Sequence, residues 1–232
     1  MNNCPLLDFS RVRFCGGRSA WNKGVAVDQK LKLFSRAATL RAEFFRNDFI
    51  SQVVVDLENP REVRFYDLQG KSYSNSFQTE LSAEPLRKLN LRLAYRYFDV
   101  STTYGDQQLQ RPLTAKHRGF VNADYEAAGW KFDYTVNLNG RKRIPSTAGN
   151  PEMHQRGTYS PSYVQMNAQI SKTLGKKSNI DLYAGAENLG NYIQRDAIIS
   201  ADQPFSQLFD ASLMWGPVTG RMFYGGVGYK IN

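Results

Sequence analysis

The chain has 232 residues, of which 41% are apolar and 13% aromatic, and its 30 Lys and Arg outnumber 21 Asp and Glu to give a formal net charge of +9. Length and apolar content suffice for a core and exclude a disordered tail, while no run approaches the ~18 consecutive apolar residues of a membrane-spanning helix. The basic residues are dispersed, with the densest cluster at Arg141-Lys142-Arg143, and no helix-turn-helix, zinc-finger or RNP pattern accompanies them, so charge alone does not argue for nucleic acid.

The start, Met1 to Asp8, lacks a basic region followed by an apolar stretch and a small-residue cleavage site, so nothing in it addresses the chain for export if Met1 is the true start. Residues 1–20 read as a poorly defined segment ahead of one β unit over 21–232. Cys4 and Cys15 have neither CxxC spacing nor a nearby His, and neither a zinc site nor any other metal or cofactor is expected.

From there on the signal is alternation with period two, which puts successive side chains on opposite faces of a strand. In chain order, Val25, Val27, Leu31 and Leu33 alternate with Ala26, Asp28, Lys30 and Lys32; Ala38, Leu40, Ala42 and Phe44 alternate with Thr39, Arg41, Glu43 and a discordant Phe45. Tyr73, Phe77, Leu81 and Ala83 oppose Ser74, Ser76, Gln78 and Glu80. Leu91, Leu93, Tyr95 and Tyr97 oppose Arg92, Ala94, Arg96 and Phe98, and Val121, Ala123 and Tyr125 oppose Asn122, Asp124 and Glu126. The clearest case is Trp130, Phe132, Tyr134, Val136 and Leu138 against Lys131, Asp133, Thr135, Asn137 and Asn139. Val164 to Ser171, Ile180 to Glu187 and Phe223 to Ile231 continue the pattern. The expectation is all-β, with about nine antiparallel strands and no amphipathic helix.

A soluble sandwich alternates too, so the connections discriminate better. Phe34 to Ala37, Glu84 to Asn90, Ala128-Gly129 and Thr173 to Asn179 are short. Asn47 to Ser72, Ser101 to His117, Arg141 to Ser162 and Leu189 to Pro217 are long, and the two kinds take turns without exception. Outer-membrane barrels have this form, with tight periplasmic turns and extended external loops, and strands of ~9–11 residues cross the bilayer when tilted. Trp130, Tyr73, Tyr95 and Tyr97 near strand ends suit an interfacial girdle. The polar faces suit a hydrated lumen and would be costly in a packed core.

Three groups of residues resemble a known family. Gly220 to Ile231 resembles the last strand of TonB-dependent outer-membrane receptors; Ala186-Glu187-Asn188-Leu189-Gly190-Asn191-Tyr192 resembles an element near their penultimate strand; and Arg64 to Leu68, Ser74 to Glu80 and Leu93 to Tyr97 look like their barrel segments. Two departures are Asn232 in place of a terminal aromatic and Gly190 in place of the usual Phe. The resemblance implies an antiparallel up-and-down transmembrane β-barrel portion. The family's signal sequence, TonB-interaction segment and plug are not visible in this sequence. Against a barrel of about 22 strands the chain looks like the C-terminal ~40%, and by itself it would form an open curved sheet with two unpaired edges.

The resemblance also implies roles. Substrate selection in that family involves plug apices, inward barrel residues and extracellular loops, which makes Arg141, Lys142, Arg143, His154 and Arg156 candidate contacts for an anionic ligand such as a ferric siderophore; the plainer alternative is a solvated loop facing lipopolysaccharide. Arg92, Arg96, Asp124, Glu126, Lys131 and Asp133 are candidates for lining the lumen, or simply pair across strands or hold the plug. Phe223, Val227, Tyr229 and Ile231 would form the signal read by the barrel-assembly machinery. The implied setting is the Gram-negative outer membrane with its lipid and lipopolysaccharide, and the implied ligand an iron chelate or cobalamin. TonB would be engaged only through the absent N-terminal part, so the chain alone would not be transport-competent. No enzyme is expected: His117 and His154 lie in different loops without metal-site spacing, and no nucleophile-elbow or phosphate-loop motif is present. The alternatives are a self-contained small barrel acting as porin or adhesin, and a soluble basic β protein binding nucleic acid.

Overall fold

The computed structural model describes residues 19–60, 62–175 and 179–229. Its strands are β1 (Ser19–Leu33), β2 (Arg36–Ser51), β3 (Val53–Asp56), β4 (Arg64–Asp67), β5 (Ser72–Leu86), β6 (Leu89–Tyr104), β7 (Gln107–Gln110), β8 (His117–Ala127), β9 (Trp130–Asn139), β10 (Tyr163–Leu174), β11 (Ile180–Glu187) and β12 (Met222–Tyr229). Nine of them form one antiparallel meander in the order β1-β2-β5-β6-β8-β9-β10-β11-β12, β7 folds back on β6, and β3 and β4 make a separate hairpin. Among the described residues the sheet does not close, because β1 and β12 each lack a partner on one side.

The alternation locates all nine long strands but not their reach. β2 runs on to Ser51 and β6 to Tyr104, and the connections expected over Asn47–Ser72 and Ser101–His117 contain the β3–β4 hairpin and β7. Where both faces of a strand meet water or loops the periodic signal stops while the hydrogen-bonded ladder continues. The tight turns carry positive φ at Phe34, Ser35, Lys88, Ala128 and Gly129, the twist that two-residue hairpin turns need.

One ladder row, Leu31-Ala38-Ala83-Leu91-Ala123-Tyr134-Ala168-Ala186-Phe223, crosses all nine strands on one face. Among the described residues nothing covers that face. Val25, Phe44, Leu93, Phe132, Leu138 and Val227 all stand exposed along it, an extent of apolar surface that a water-soluble monomer does not present. It has polar limits: toward the long connections the row Lys23-Arg46-Asn75-Asp99 replaces the apolar residues, and Tyr73, Tyr95 and Tyr97 lie near that end while Tyr125 and Trp130 lie near the short turns. An apolar belt with aromatic margins is what a barrel wall shows to lipid.

Phe45 interrupts the alternation because its ring points inward over Gly24. A Cβ at Gly24 would lie 2.1 Å from the Phe45 Cδ1 atom, so the missing side chain on β1 makes room for the extra ring on β2. The buried apolar cluster lies elsewhere, among the long connections, where Ile144, Ile199 and Leu213 pack with Trp215.

Candidate functional site

The inward face divides by charge. In the half nearer the short turns, cations meet carboxylates across the strands. Arg41 Nε lies 2.6 Å from Asp28, Arg92 Nε 3.2 Å from Glu80, and Lys131 Nζ 3.0 Å from Asp124 and 3.4 Å from Glu126. Asn122 donates to Asp133 at 3.1 Å, Asn90 to Asp124 at 3.2 Å, and the Thr173 hydroxyl to Asp181 at 2.6 Å. Each of these three cations thus has a carboxylate partner on a neighbouring strand, and the carboxylates named outnumber the cations by six to three.

Higher up the pattern breaks. A single ladder row reads Gln78-Arg96-Arg118-Asn139-Tyr163, with Arg96 and Arg118 directly opposite each other. Like charges at facing positions repel, and among the described residues neither guanidinium has an ion-pair partner. Arg96 lies 4.2 Å from the Phe98 ring centroid, and its Nε is buried without a hydrogen-bond acceptor. A hollow of about 440 Å³ opens over this row and also takes in Asn137 and Gln165.

The hollow reaches a cap built from the four long connections. Tyr163 stacks on Tyr192 with centroids 4.9 Å apart, and Trp215 leans against both. Lys142 Nζ donates to the Trp215 carbonyl and lies 5.7 Å from the Tyr163 ring. Burial pulls the Lys142 ammonium below its ordinary pKa, and the nearby Arg118 charge adds to the effect. Arg143 makes a two-pronged ion pair with Glu58, Nη1 to Oε2 at 2.8 Å and Nη2 to Oε1 at 2.5 Å, and donates from Nε to the Gln110 carbonyl. Three connections, 52–71, 105–116 and 140–162, are thereby clamped to one guanidinium.

The fourth connection is organised by two amides. Gln194 donates to the Leu213 carbonyl and accepts from the Trp215 and Gly216 amides. Asn188, with φ of 51°, donates to the Tyr192 and Thr219 carbonyls and accepts from the Tyr192 amide. Because the cap has its own buried cluster and side-chain ties, the loops form a fixed mouth above the hollow. Among the described residues no group of three or more His, Cys, Asp or Glu side chains could hold a metal.

Comparison with known proteins decides what kind of wall this is. A family model described as TonB dependent receptor-like, beta-barrel, matches residues 20–189. The chain belongs to that family. Solved structures of similar shape include the ferric-catecholate import receptor Fiu from E. coli K12 in its closed form, 13% identical with a TM-score of 0.61, over 96% of this chain and 30% of that one. The ferric enterobactin receptor PfeA from Pseudomonas aeruginosa is 15% identical with a TM-score of 0.63, over 91% and 31%. The copper transporter OprC is 13% identical with a TM-score of 0.66, over 92% and 31%. The chain thus spans about three tenths of these structures, and at such identities the likeness is one of fold. No curated protein matches it by sequence.

Within a TonB-dependent receptor wall the residues expected to act separate as follows. Arg141 is exposed, 5.1 Å from the Tyr159 ring. His154 ends a single 3-10 turn, Glu152–His154, and Arg156 donates its backbone amide to Thr147. Lys142 is half-buried under Trp215. Arg143 is placed differently from a ligand contact: its side chain is only 7% exposed and is engaged by Glu58. Of the lumen candidates, Arg92, Asp124, Glu126 and Lys131 are paired, Asp133 accepts from Asn122 and Thr135, and Arg96 is the one cation left over. Phe223, Val227 and Tyr229 point outward on the edge strand β12; Ile231, like Cys4 and Cys15, lies outside the described residues. Sequence reasoning missed Arg118. The inward parity of Asn122, Asp124 and Glu126 extends back through Phe120 to Arg118, and following it two steps further would have found the residue.

Proposed function

We propose that this chain supplies part of the wall and external mouth of an outer-membrane receptor that takes up an anionic metal chelate of the ferric siderophore class, cobalamin being the alternative cargo. One observation carries the reading: Arg96 and Arg118 at facing positions of the ladder, without carboxylate partners among the described residues, beneath an aromatic and basic mouth. Two cations without ion-pair partners in one hollow call for an anion, and arginine suits planar oxygen-rich ligands because it donates in a fixed fork. Aromatic rings beside it suit a catecholate, and the similar structures include receptors named for ferric catecholates and ferric enterobactin. In the whole receptor, uptake would draw on TonB through parts outside this chain. Among the described residues the sheet stays open and encloses no lumen, so this portion would bind without transporting.

The test is equilibrium binding of radiolabelled ferric enterobactin to outer-membrane vesicles bearing the chain, with a neutral ferric hydroxamate and cobalamin as comparison probes. The expected result is preference for the anionic catecholate and a loss of about tenfold or more in affinity for each of Arg96→Gln and Arg118→Gln, each removing one charged contact. Equal binding by the double variant, or preference for an uncharged probe, would overturn the reading.

A further inference from the structure

The outward face is not uniformly packed. Over β1 to β6 the belt is filled by large side chains, among them Val25, Leu40, Phe44, Phe77 and Leu93. From β8 to β12 it sinks into a hollow of about 560 Å³, with Leu89 of β6 at its margin. Ala168 on β10 with Ala184 and Ala186 on β11 lie between Phe132 and Tyr134 on β9 and Phe223 on β12, and Ala123 and Tyr125 of β8 extend it on the near side. The lining is almost wholly apolar, and it faces away from the lumen, so neither a cargo nor a plug can reach it.

A cation stands at one end. Lys172 shares the outward parity of Ala168 and pairs in register with Trp130 and Leu182. Its Nζ lies 4.9 Å from the Trp130 ring centroid and donates to the Ala128 carbonyl at 2.7 Å, which fixes the ammonium at the short-turn end of the belt with N–H groups to spare. Trp130 stacks on Phe132, centroids 6.2 Å apart, so the anchor and the hollow share one continuous aromatic wall. From Lys172 to Ala168 is four residues, about 13 Å along the strand. A cation with a Trp at the interface, leading into an apolar trough, complements an anionic headgroup joined to an acyl chain.

We infer that β9 to β12 carry a site for one phospholipid of the periplasmic leaflet, its phosphate on Lys172 and an acyl chain in the hollow over Ala168, Ala184 and Ala186. The commitment to that leaflet follows from the position of Lys172 beside the Ala128-Gly129 turn, the end opposite the long loops. The inference is independent of the cargo.

The test is native mass spectrometry of the full 232-residue chain released from vesicles of equal parts phosphatidylethanolamine, phosphatidylglycerol and phosphatidylcholine. Circular dichroism confirms that each variant keeps its β content. One retained phospholipid is expected, with phosphatidylglycerol over-represented several-fold. Ala168→Trp, which fills the hollow, lowers retention about tenfold; Lys172→Gln keeps a lipid bound but abolishes the headgroup preference; Leu40→Trp, on the filled part of the belt, changes neither. The inference is overturned if Ala168→Trp retains lipid like the unaltered chain, if Leu40→Trp loses it equally, if Lys172→Gln keeps the preference, or if no lipid is retained.

Discussion

Replacing Glu58 with Ala removes the only carboxylate that, among the described residues, neutralises Arg143. The Arg143 side chain is 7% exposed and Glu58 19%, so the guanidinium would be left buried, with the Gln110 carbonyl as its remaining acceptor. Breaking a buried pair from one side costs about 3–5 kcal/mol, against near neutrality when both partners become apolar. At 1.4 kcal/mol per tenfold the clamp would open between about 100 and 4,000 times more often. Hydrogen exchange reads this directly at the Leu113 amide, which donates to Arg143, and at the Ile144 amide, which donates to Thr158; amides between β9 and β10 serve as the internal control. The expected outcome is faster exchange at the loop amides, an unchanged ladder, and restored protection in the double variant Glu58→Leu, Arg143→Met. Loop protection within fivefold of the unaltered chain in Glu58→Ala would refute the clamp, as would a double variant no better than the single one.

Two further outcomes follow from the same cap. A Cβ at Gly140 would sit 2.7 Å from the His117 carbonyl oxygen, whereas one at Gly149 meets nothing closer than Pro60 Cγ at 3.8 Å; Gly140→Ala is therefore expected to destabilise by about 1–3 kcal/mol, as overpacking against backbone does, and Gly149→Ala to be neutral, both read from urea midpoints in lipid vesicles. Lys142 titrates below the 10.5 of a free lysine because of burial first and Arg118 second. Between its folded value and 10.5 the opened cap binds more protons than the closed one, so closure strengthens as pH rises through that window and gains nothing below it. Limited proteolysis of the 188–221 connection from pH 8 to 10.5 should slow accordingly, Lys142→Met should flatten the profile, and a profile that runs the other way would contradict the assignment.

Legibility in the sequence followed the bilayer. Where one face meets lipid and the other water, side-chain polarity alternates with the backbone, and β9 could be read residue by residue from Trp130 to Asn139. Above the belt that contrast disappears: β3 and β7 went unseen although their ladders are regular, and Arg64 to Leu68, which resembled a barrel segment, belongs to the separate β3–β4 hairpin of a connection. Phe45 looked like an error in the pattern because its explanation, Gly24, sits on a neighbouring strand, and pairing register cannot be read from one strand alone. Arg143 looked like a ligand contact for a related reason. Its partner Glu58 is 85 residues away in another connection, and a cluster of three basic residues does not disclose which one turns inward.

The charge pattern also sorts what local pairing can settle from what needs an outside partner. Arg41, Arg92 and Lys131 each find a carboxylate on the adjacent strand. Arg96 and Arg118 face one another, and the residues flanking them in the row are the neutral Gln78 and Asn139. Two facing cations with no local acceptor destabilise the sheet unless something else supplies negative charge. The same fold that gives Arg41, Arg92 and Lys131 carboxylate partners leaves this row of the inward face without one among the described residues, directly below the loops tied together by Arg143 and Gln194. The position of the imbalance, and not the overall charge of +9, is what points to an anionic ligand.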